Sequence, residues 1–251
     1  MLKHILPVLP SDVILYCEPF IGGGAVFWAK KPSPLEVIND TNRELINFYE
    51  VCQNEFVDLE KMIRITLHSR SLFNDAKVVY DNPHMFDRVK RAWAVWVLSS
   101  QGFASKIDGS WGYDKQKSTV STKINNKREG FTEELAIRLQ KVQIECTDAL
   151  RIIRSRDGKD SFFYCDPPYF NSDCGHYDGY TIEDFEMLLN MLSKLEGRFL
   201  LSSYPSKILD EYVAQNGWQQ QSFSQKVSVS RTKENQKTKI EVLTANYCLN
   251  S

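Results

Sequence analysis

The segment Phe162-Phe163-Tyr164-Cys165-Asp166-Pro167-Pro168-Tyr169 ends an apolar β-run in an acid, two prolines and an aromatic ring. Such a run reads as a buried strand. The prolines Pro167 and Pro168 make a rigid ledge at the carboxyl edge of a sheet, where open α/β sheets place their ligands. Oxygens held this firmly suit the alkylation of a weakly nucleophilic amine. The amino group of adenine is such an amine, because its lone pair is delocalised into the ring. Both of its hydrogens must be accepted by fixed oxygens before the lone pair can turn toward an incoming methyl, and Asp166 and the Pro167 carbonyl can do this. Tyr169 can then stack on the base, a contact of about 1–3 kcal/mol, comparable with the few kcal/mol needed to extrude a base from a duplex. The plainer reading is a proline-rich turn whose acid accepts backbone hydrogen bonds.

A second segment, Glu18-Pro19-Phe20-Ile21-Gly22-Gly23-Gly24-Ala25-Val26-Phe27, lies between a β-run and a helical pattern. Glycines there allow positive φ and close approach of backbone to a ligand, and the helix start offers unbonded N–H groups. The pattern lacks the further glycine of the dinucleotide fingerprint. The next β-run ends in Asn39-Asp40, and a carboxylate at that place grips a ribose in doubly wound folds. Asp40 could equally cap the following helix.

These segments need elements to position them. Strand-like runs occur at Val13–Cys17, Leu35–Asn39, Val142–Cys146, Phe162–Cys165 and Phe199–Ser202. Helical spacing occurs at Arg43–Cys52, Glu55–His68, Phe86–Ser100, Thr132–Gln140, Ile182–Leu195 and Ile208–Asn216. The alternation predicts a parallel sheet with crossover helices. About a hundred residues between Asn39 and Val142 hold no convincing strand and read as an insertion. Its own core is the apolar helix around Ala92–Leu98, preceded by Arg88 and Arg91. The stretch Gly102–Arg128 that follows reads as a loop able to track a nucleic-acid backbone, with Trp111 and Tyr113 stacking or wedging.

Composition bounds the rest. With 42% hydrophobic and 25% charged residues over 251 positions, the chain is neither disordered nor fibrous and can bury a substantial core. No apolar run is long enough for a membrane helix or a signal peptide, so a cytoplasmic protein without membrane contact is expected. Six cysteines and four histidines lack ligand spacing, which predicts reduced, mostly buried thiols and no metal. A net charge of −1 does not mark a nucleic-acid binder, but its distribution is uneven. Lys115, Lys117, Lys123, Lys127 and Arg128 form an acid-free basic run, and Lys226, Arg231, Lys233, Lys237 and Lys239 form another around Glu234. Either could face phosphates or simply be solvated.

EPFIGGGAVFW, VINDTNRELINFY and FFYCDPPY together resemble the Dam-like DNA adenine methyltransferases, the D12 class. Val142–Ala149, Leu201–Pro205 and Lys239–Tyr247 extend the likeness over nearly the whole chain. The motif order, with cofactor motif, recognition region and catalytic motif in sequence, is that of the alpha subclass. The resemblance implies a Rossmann-like methyltransferase sheet, mostly parallel with a C-terminal antiparallel hairpin, and a helical target-recognition insert. The catalytic domain then spans 1–52 and 140–251, with the insert at 53–139. It implies S-adenosylmethionine held by Pro19, Phe20, Gly22, Gly23, Gly24, Ala25, Asp40, Asp148 and Asp166, without metal. Catalysis falls to Asp166, Pro167, Pro168 and Tyr169. Double-stranded DNA would meet Arg88, Arg91, Trp111, Tyr113, Lys123, Lys127, Arg128, Arg231 and Lys233, and the protein would act as a monomer. The family's Gly-Gly-Lys element, whose lysine helps hold the cofactor, would stand just before Leu2 and is absent from this sequence, which fits either a truncation or weakened cofactor binding. Lys3 belongs to the following helix and does not replace that lysine. A methyltransferase for RNA or protein amides, and a catalytically weak DNA-binding relative, are the competing readings.

Overall fold

The computed structural model describes residues 1–103, 107–116, 118–170, 180–226 and 238–249. They pack as two compact units, one formed by Met1–Asp40 with Thr147–Ser251 and the other by Thr41–Cys146. The second unit contains the whole of the expected insert. Among the described residues the strands are β1 (Leu15–Glu18), β2 (Leu35–Asn39), β4 (Ser161–Cys165), β5 (Arg198–Ser203), β6 (Gln219–Lys226) and β7 (Thr238–Ala245) in the first unit and β3 (Val142–Glu145) in the second. The helices are α1 (Leu2–Ile5), α2 (Ala25–Ala29), α3 (Arg43–Asn54), α4 (Phe56–Ile65), α5 (Arg70–Asp81), α6 (Arg88–Gln101), α7 (Thr119–Glu129), α8 (Glu133–Leu139), α9 (Ala149–Arg156), α10 (Ile182–Leu192) and α11 (Lys207–Asn216).

Within the first unit the strand order is β2-β1-β4-β5-β7-β6. β2, β1, β4 and β5 run parallel, while β7 is antiparallel to both β5 and β6. This is the mostly parallel sheet with an antiparallel C-terminal hairpin that the resemblance implies. The five residues of β4 are all buried, because successive side chains enter opposite faces and both faces are covered. Phe163 and Cys165 join Cys17, Val37, Phe199 and Leu201 in a core with α9, α10 and α11. Phe162 and Tyr164 join Tyr16, Leu200 and Leu243 in a second core with Ile5 and Val26. Polar side chains fix the element ends. Thr181 and Asp184 form a capping box at α10, and Ser206 caps α11.

The second unit is helical around α6, whose residues Ala92 to Leu98 are all at least 95% buried. The indole of Trp93 donates to Thr66 Oγ1 at 2.8 Å inside it. One expectation needs correction here: the Gly102–Arg128 stretch is not a loop throughout, since α7 forms over its second half. α5 is a further helix, at a place where the apolar spacing marked none. α7 escapes periodicity because Ile124 is its one buried residue. Its start is held instead by Asp114, whose Oδ2 accepts the Val120 and Ser121 amides at 2.8 and 3.4 Å. The thiols also depart from expectation: Cys17, Cys52 and Cys165 are buried, but Cys146 and Cys248 are exposed, and Cys174 lies outside the described residues. Lys3 does sit within α1, with its side chain exposed. No helix among the described residues is long and apolar enough to cross a membrane.

Gly197, just before β5, lies against the turn that precedes β4. A Cβ there would stand 2.7 Å from the Ser161 carbonyl and 2.8 Å from the Gly158 carbonyl, both immobile backbone atoms. Gly197→Ala is therefore expected to destabilise the protein by about 1–3 kcal/mol, the usual cost of overpacking. Thermal unfolding checks this, and a melting temperature equal to wild type would count against the close approach.

Candidate active site

Three turns meet at the carboxyl ends of the parallel strands in the first unit: the glycine turn after β1, the end of β2, and the Thr147-Asp148 turn before α9. A fully buried amide, Asn39, ties them together. Its Nδ2 donates to the Pro19 carbonyl at 2.9 Å and to the Thr147 carbonyl at 3.0 Å, and its Oδ1 accepts the Thr147 amide at 3.0 Å. The Ile21 amide bonds the Asn39 carbonyl at 2.8 Å, which closes the glycine turn against the end of β2. Gly22 and Gly24 take φ of 47° and 65°, the left-handed region that side chains disfavour. A Cβ at Gly22 or Gly23 would meet nothing within 4 Å, so the turn borders open space. Asp40 Oδ2 accepts the Gly22 amide at 3.1 Å. The capping alternative for Asp40 falls away, because Asn42 caps α3 through the Glu44 and Leu45 amides, both at 3.1 Å. Asp148 caps α9, accepting the Arg151 amide at 3.0 Å.

The ledge follows directly after β4, beside β1 and β5. Asp166 opens to solvent while Pro167 is buried. The Tyr169 hydroxyl donates to Asp166 Oδ1 at 2.9 Å and stands 3.1 Å from Ser202 Oγ on β5. The Tyr169 ring lies 4.4 Å from that of Tyr204, tilted by 55°, and the Tyr204 hydroxyl accepts from Lys239 Nζ at 2.9 Å. The protein packed around Asp166 pushes its pKa up to about 6. Glu241 adds to the rise, and the hydroxyls of Tyr169 and Tyr164 oppose it.

Glu18, at the end of β1, is 2% exposed and takes the Tyr16 hydroxyl at 2.6 Å. Burial pushes it up to about 8, against that bond and helped by the charge of Asp166. Sequence reasoning singled out neither Glu18 nor Asn39. An acid ending an apolar strand is the signal for Glu18; an asparagine one residue before the chosen acid gives none.

In the second unit the candidate DNA residues divide. Arg91 pairs with Glu44 at 2.6 Å, and Arg88 with Glu50 at 2.9 Å and Glu55 at 3.0 Å. Lys127 donates to the Ser99 carbonyl at 3.0 Å and Arg128 to the Thr66 carbonyl. Lys123 is exposed. Trp111 has neighbouring rings, His68 at 4.8 Å and Tyr113 at 5.8 Å, and its indole donates to Gln101 Oε1 at 3.2 Å. Tyr113 is exposed. Lys117, Arg231 and Lys233 lie outside the described residues, and no group of metal-ligand type gathers among the described ones.

The family described as D12 class N6 adenine-specific DNA methyltransferase matches residues 1–241. The chain is 27% identical over 203 residues to the type II methyltransferase M1.LlaDCHI of Lactococcus lactis subsp. cremoris, covering 74% of this chain and 67% of that protein. It is 27% identical over 220 residues to the DNA N-6-adenine-methyltransferase of Escherichia phage P1, covering 79% of this chain and 27% of that longer protein. Among solved structures, a precorrin-6y C5,15-methyltransferase from Geobacter metallireducens aligns over 95% of this chain and 81% of its own, with a TM-score of 0.38 and 9% identity.

Asn39→Leu removes three hydrogen bonds while keeping the number of side-chain heavy atoms, and it leaves the Pro19 carbonyl buried without its partner. The expected loss is about 2–4 kcal/mol in a denaturant titration, with faster hydrogen exchange at the Thr147 and Ile21 amides. Exchange rates equal to wild type would show that the three turns hold together without this amide.

Proposed function

The chain belongs to the D12 class of N6 adenine-specific DNA methyltransferases, and from that membership we propose that it methylates the exocyclic amino group of adenine in duplex DNA, holding an extruded base on the Asp166–Tyr169 ledge. The observation that carries this reading is a solvent-open carboxylate fixed by the Tyr169 hydroxyl immediately before Pro167 and Pro168. When bound, S-adenosylmethionine supplies an electrophilic methyl group. The residues present suit such a cofactor: the Gly22–Gly24 turn borders open space, and Asp40 stands beside it at the end of β2. Phe20, Gly23, Ala25 and Asp148 complete the proposed cofactor-holding edge.

Asp166 and the Pro167 carbonyl accept the two amino hydrogens and so turn the nitrogen lone pair outward. Once the nitrogen gains a methyl it carries one proton too many. Asp166 takes that proton and, being open to solvent, passes it on. This requires the ionised carboxylate, which predominates above about pH 6. Tyr169 supports the base with its ring, and its hydroxyl bond to Ser202 sets where that ring stands. DNA is proposed to meet the second unit through Lys123 and Tyr113, with Arg88, Arg91, Lys127 and Arg128 bracing the surface through their ion pairs and carbonyl bonds. The runs outside the described residues, with Arg231 and Lys233, remain in the proposal as phosphate contacts.

Asp166→Ala is expected to abolish methyl transfer with the fold intact, and retention of more than about a tenth of the wild-type rate would refute the catalytic role. The wild-type profile of kcat/KM should fall as pH drops through about 6, because protonation removes the acceptor. Asp166→Asn keeps a carbonyl acceptor, so it should retain slow transfer and lose that acid limb. An unchanged limb in Asp166→Asn would assign the titration to another group.

A further inference from the structure

In the second unit, Arg70 lies outside the basic run and has aromatic rings rather than a carboxylate beside it. Arg70, the first residue of α5, is exposed, and its guanidinium lies over Trp111 at 4.6 Å and over Tyr113 at 5.7 Å from the ring centroids. The first turn of α5 holds no acid. Its contrast with Arg88, Arg91 and Arg128 is direct, since each of those already donates to a carboxylate or a carbonyl.

The support beneath Arg70 is rigid. Gln101, fully buried at the end of α6, donates to the Leu67 carbonyl at 2.9 Å and accepts the Ser69 amide at 3.3 Å, so it fixes the chain just before Arg70. The same Gln101 oxygen accepts the Trp111 indole N–H at 3.2 Å. One buried amide thus sets both the backbone that carries the cation and the ring beneath it. His68 Nε2 lies 2.9 Å from the Gly112 carbonyl and ties the two segments again.

We propose that Arg70 is a specificity-determining residue that donates in a bidentate pair to the major-groove edge of a guanine in the recognised DNA. The proposal rests on the DNA-methylating function given above. A phosphate can be met by any mobile cation, and the exposed Lys123 suffices for that. A guanidinium oriented by two aromatic faces has lost most of the freedom that a long side chain otherwise gives up on binding. Its fork of donors matches the coplanar O6 and N7 acceptors of guanine, which a lysine ammonium cannot address as a pair. The rings also shield one face from water, which strengthens the hydrogen bonds made at its rim.

The test uses the full chain. Sequencing methylated adenines in DNA from cells expressing wild type defines the recognised sequence. Wild type, Arg70→Ala and Arg70→Lys are then compared by kcat/KM on that duplex and on duplexes with each G·C pair replaced in turn. Both variants are expected to lose on the order of 10- to 100-fold on the preferred duplex and to become indifferent at one G·C position. Their salt dependence and S-adenosylmethionine affinity should match wild type, the latter showing that they fold. Rescue of discrimination by Arg70→Lys would overturn the bidentate pair. So would a loss equal across all duplexes with a log–log salt slope shallower by about 0.9, which marks a phosphate contact. A recognised sequence without G·C pairs, or variants indistinguishable from an active wild type, would overturn this proposal alone. A wild type that methylates no adenine would overturn the functional reading and this one with it.

Discussion

The carboxyl edge of the sheet depends on one buried primary amide. Strand ends carry unpaired backbone groups, and in a doubly wound fold those ends are where a ligand must be met. At β1 and β2 the Asn39 side chain resolves the difficulty by bonding the Pro19 carbonyl and both polar groups of Thr147. An amide suits this place because it donates and accepts at once. A carboxylate could not donate to two carbonyls, and an apolar residue would leave them bare. With the three turns joined, Gly22 and Gly24 can hold their left-handed conformations and Asp40 can reach the Gly22 amide.

The second constraint is electrostatic. Glu18 ends β1 and Asp166 follows directly after the neighbouring β4, and the charge of Asp166 adds to the burial that raises Glu18. Both cannot be anionic in that space without a large cost. Burial resolves the competition in favour of Asp166. Glu18, sealed beside Tyr16, stays protonated at neutral pH, and the more open Asp166 keeps its charge. Lys30 does not reverse this, because it is held at 2.5 Å by the equally buried Glu36. The acid needed as an acceptor is therefore the one left ionised.

Much of the sheet was legible in the sequence because its strands are buried on both faces and read as unbroken apolar runs, β4 most clearly. β6 was not, since its Gln-rich sequence QQQSFSQK carries none of that signal and it lies at the sheet edge, where polar side chains are tolerated. α7 was hidden for a related reason: a helix with one buried residue shows no apolar face, and its start is fixed by Asp114 from outside the helix. Asp166 and the glycine turn were readable as motifs, whereas Asn39 and Gln101 were not. Their importance comes from partners about a hundred residues away in one case and about thirty in the other. The basic run from Lys115 to Arg128 misled in part, because charge in a sequence does not say whether a cation faces solvent or a carbonyl. Lys127 and Arg128 face carbonyls.

Asn39 and Gln101 also explain how side chains at exposed positions can be precise. A residue on a surface turn ordinarily fluctuates within its solvent-facing rotamers, and long cations do so most. In each unit the remedy is the same. A fully buried amide bonds two separated segments, through backbone at both in the case of Asn39 and through the Leu67 and Ser69 backbone and the Trp111 indole in the case of Gln101, so the segments cannot shift independently, and the exposed group inherits the rigidity of the core. In the first unit that places Asp40 beside the glycine turn; in the second it places Arg70 over Trp111. Buried amides are costly unless every polar atom is satisfied. Both of these bond through their oxygen and their nitrogen, so each holds its turn firmly without leaving a polar group stranded in the interior.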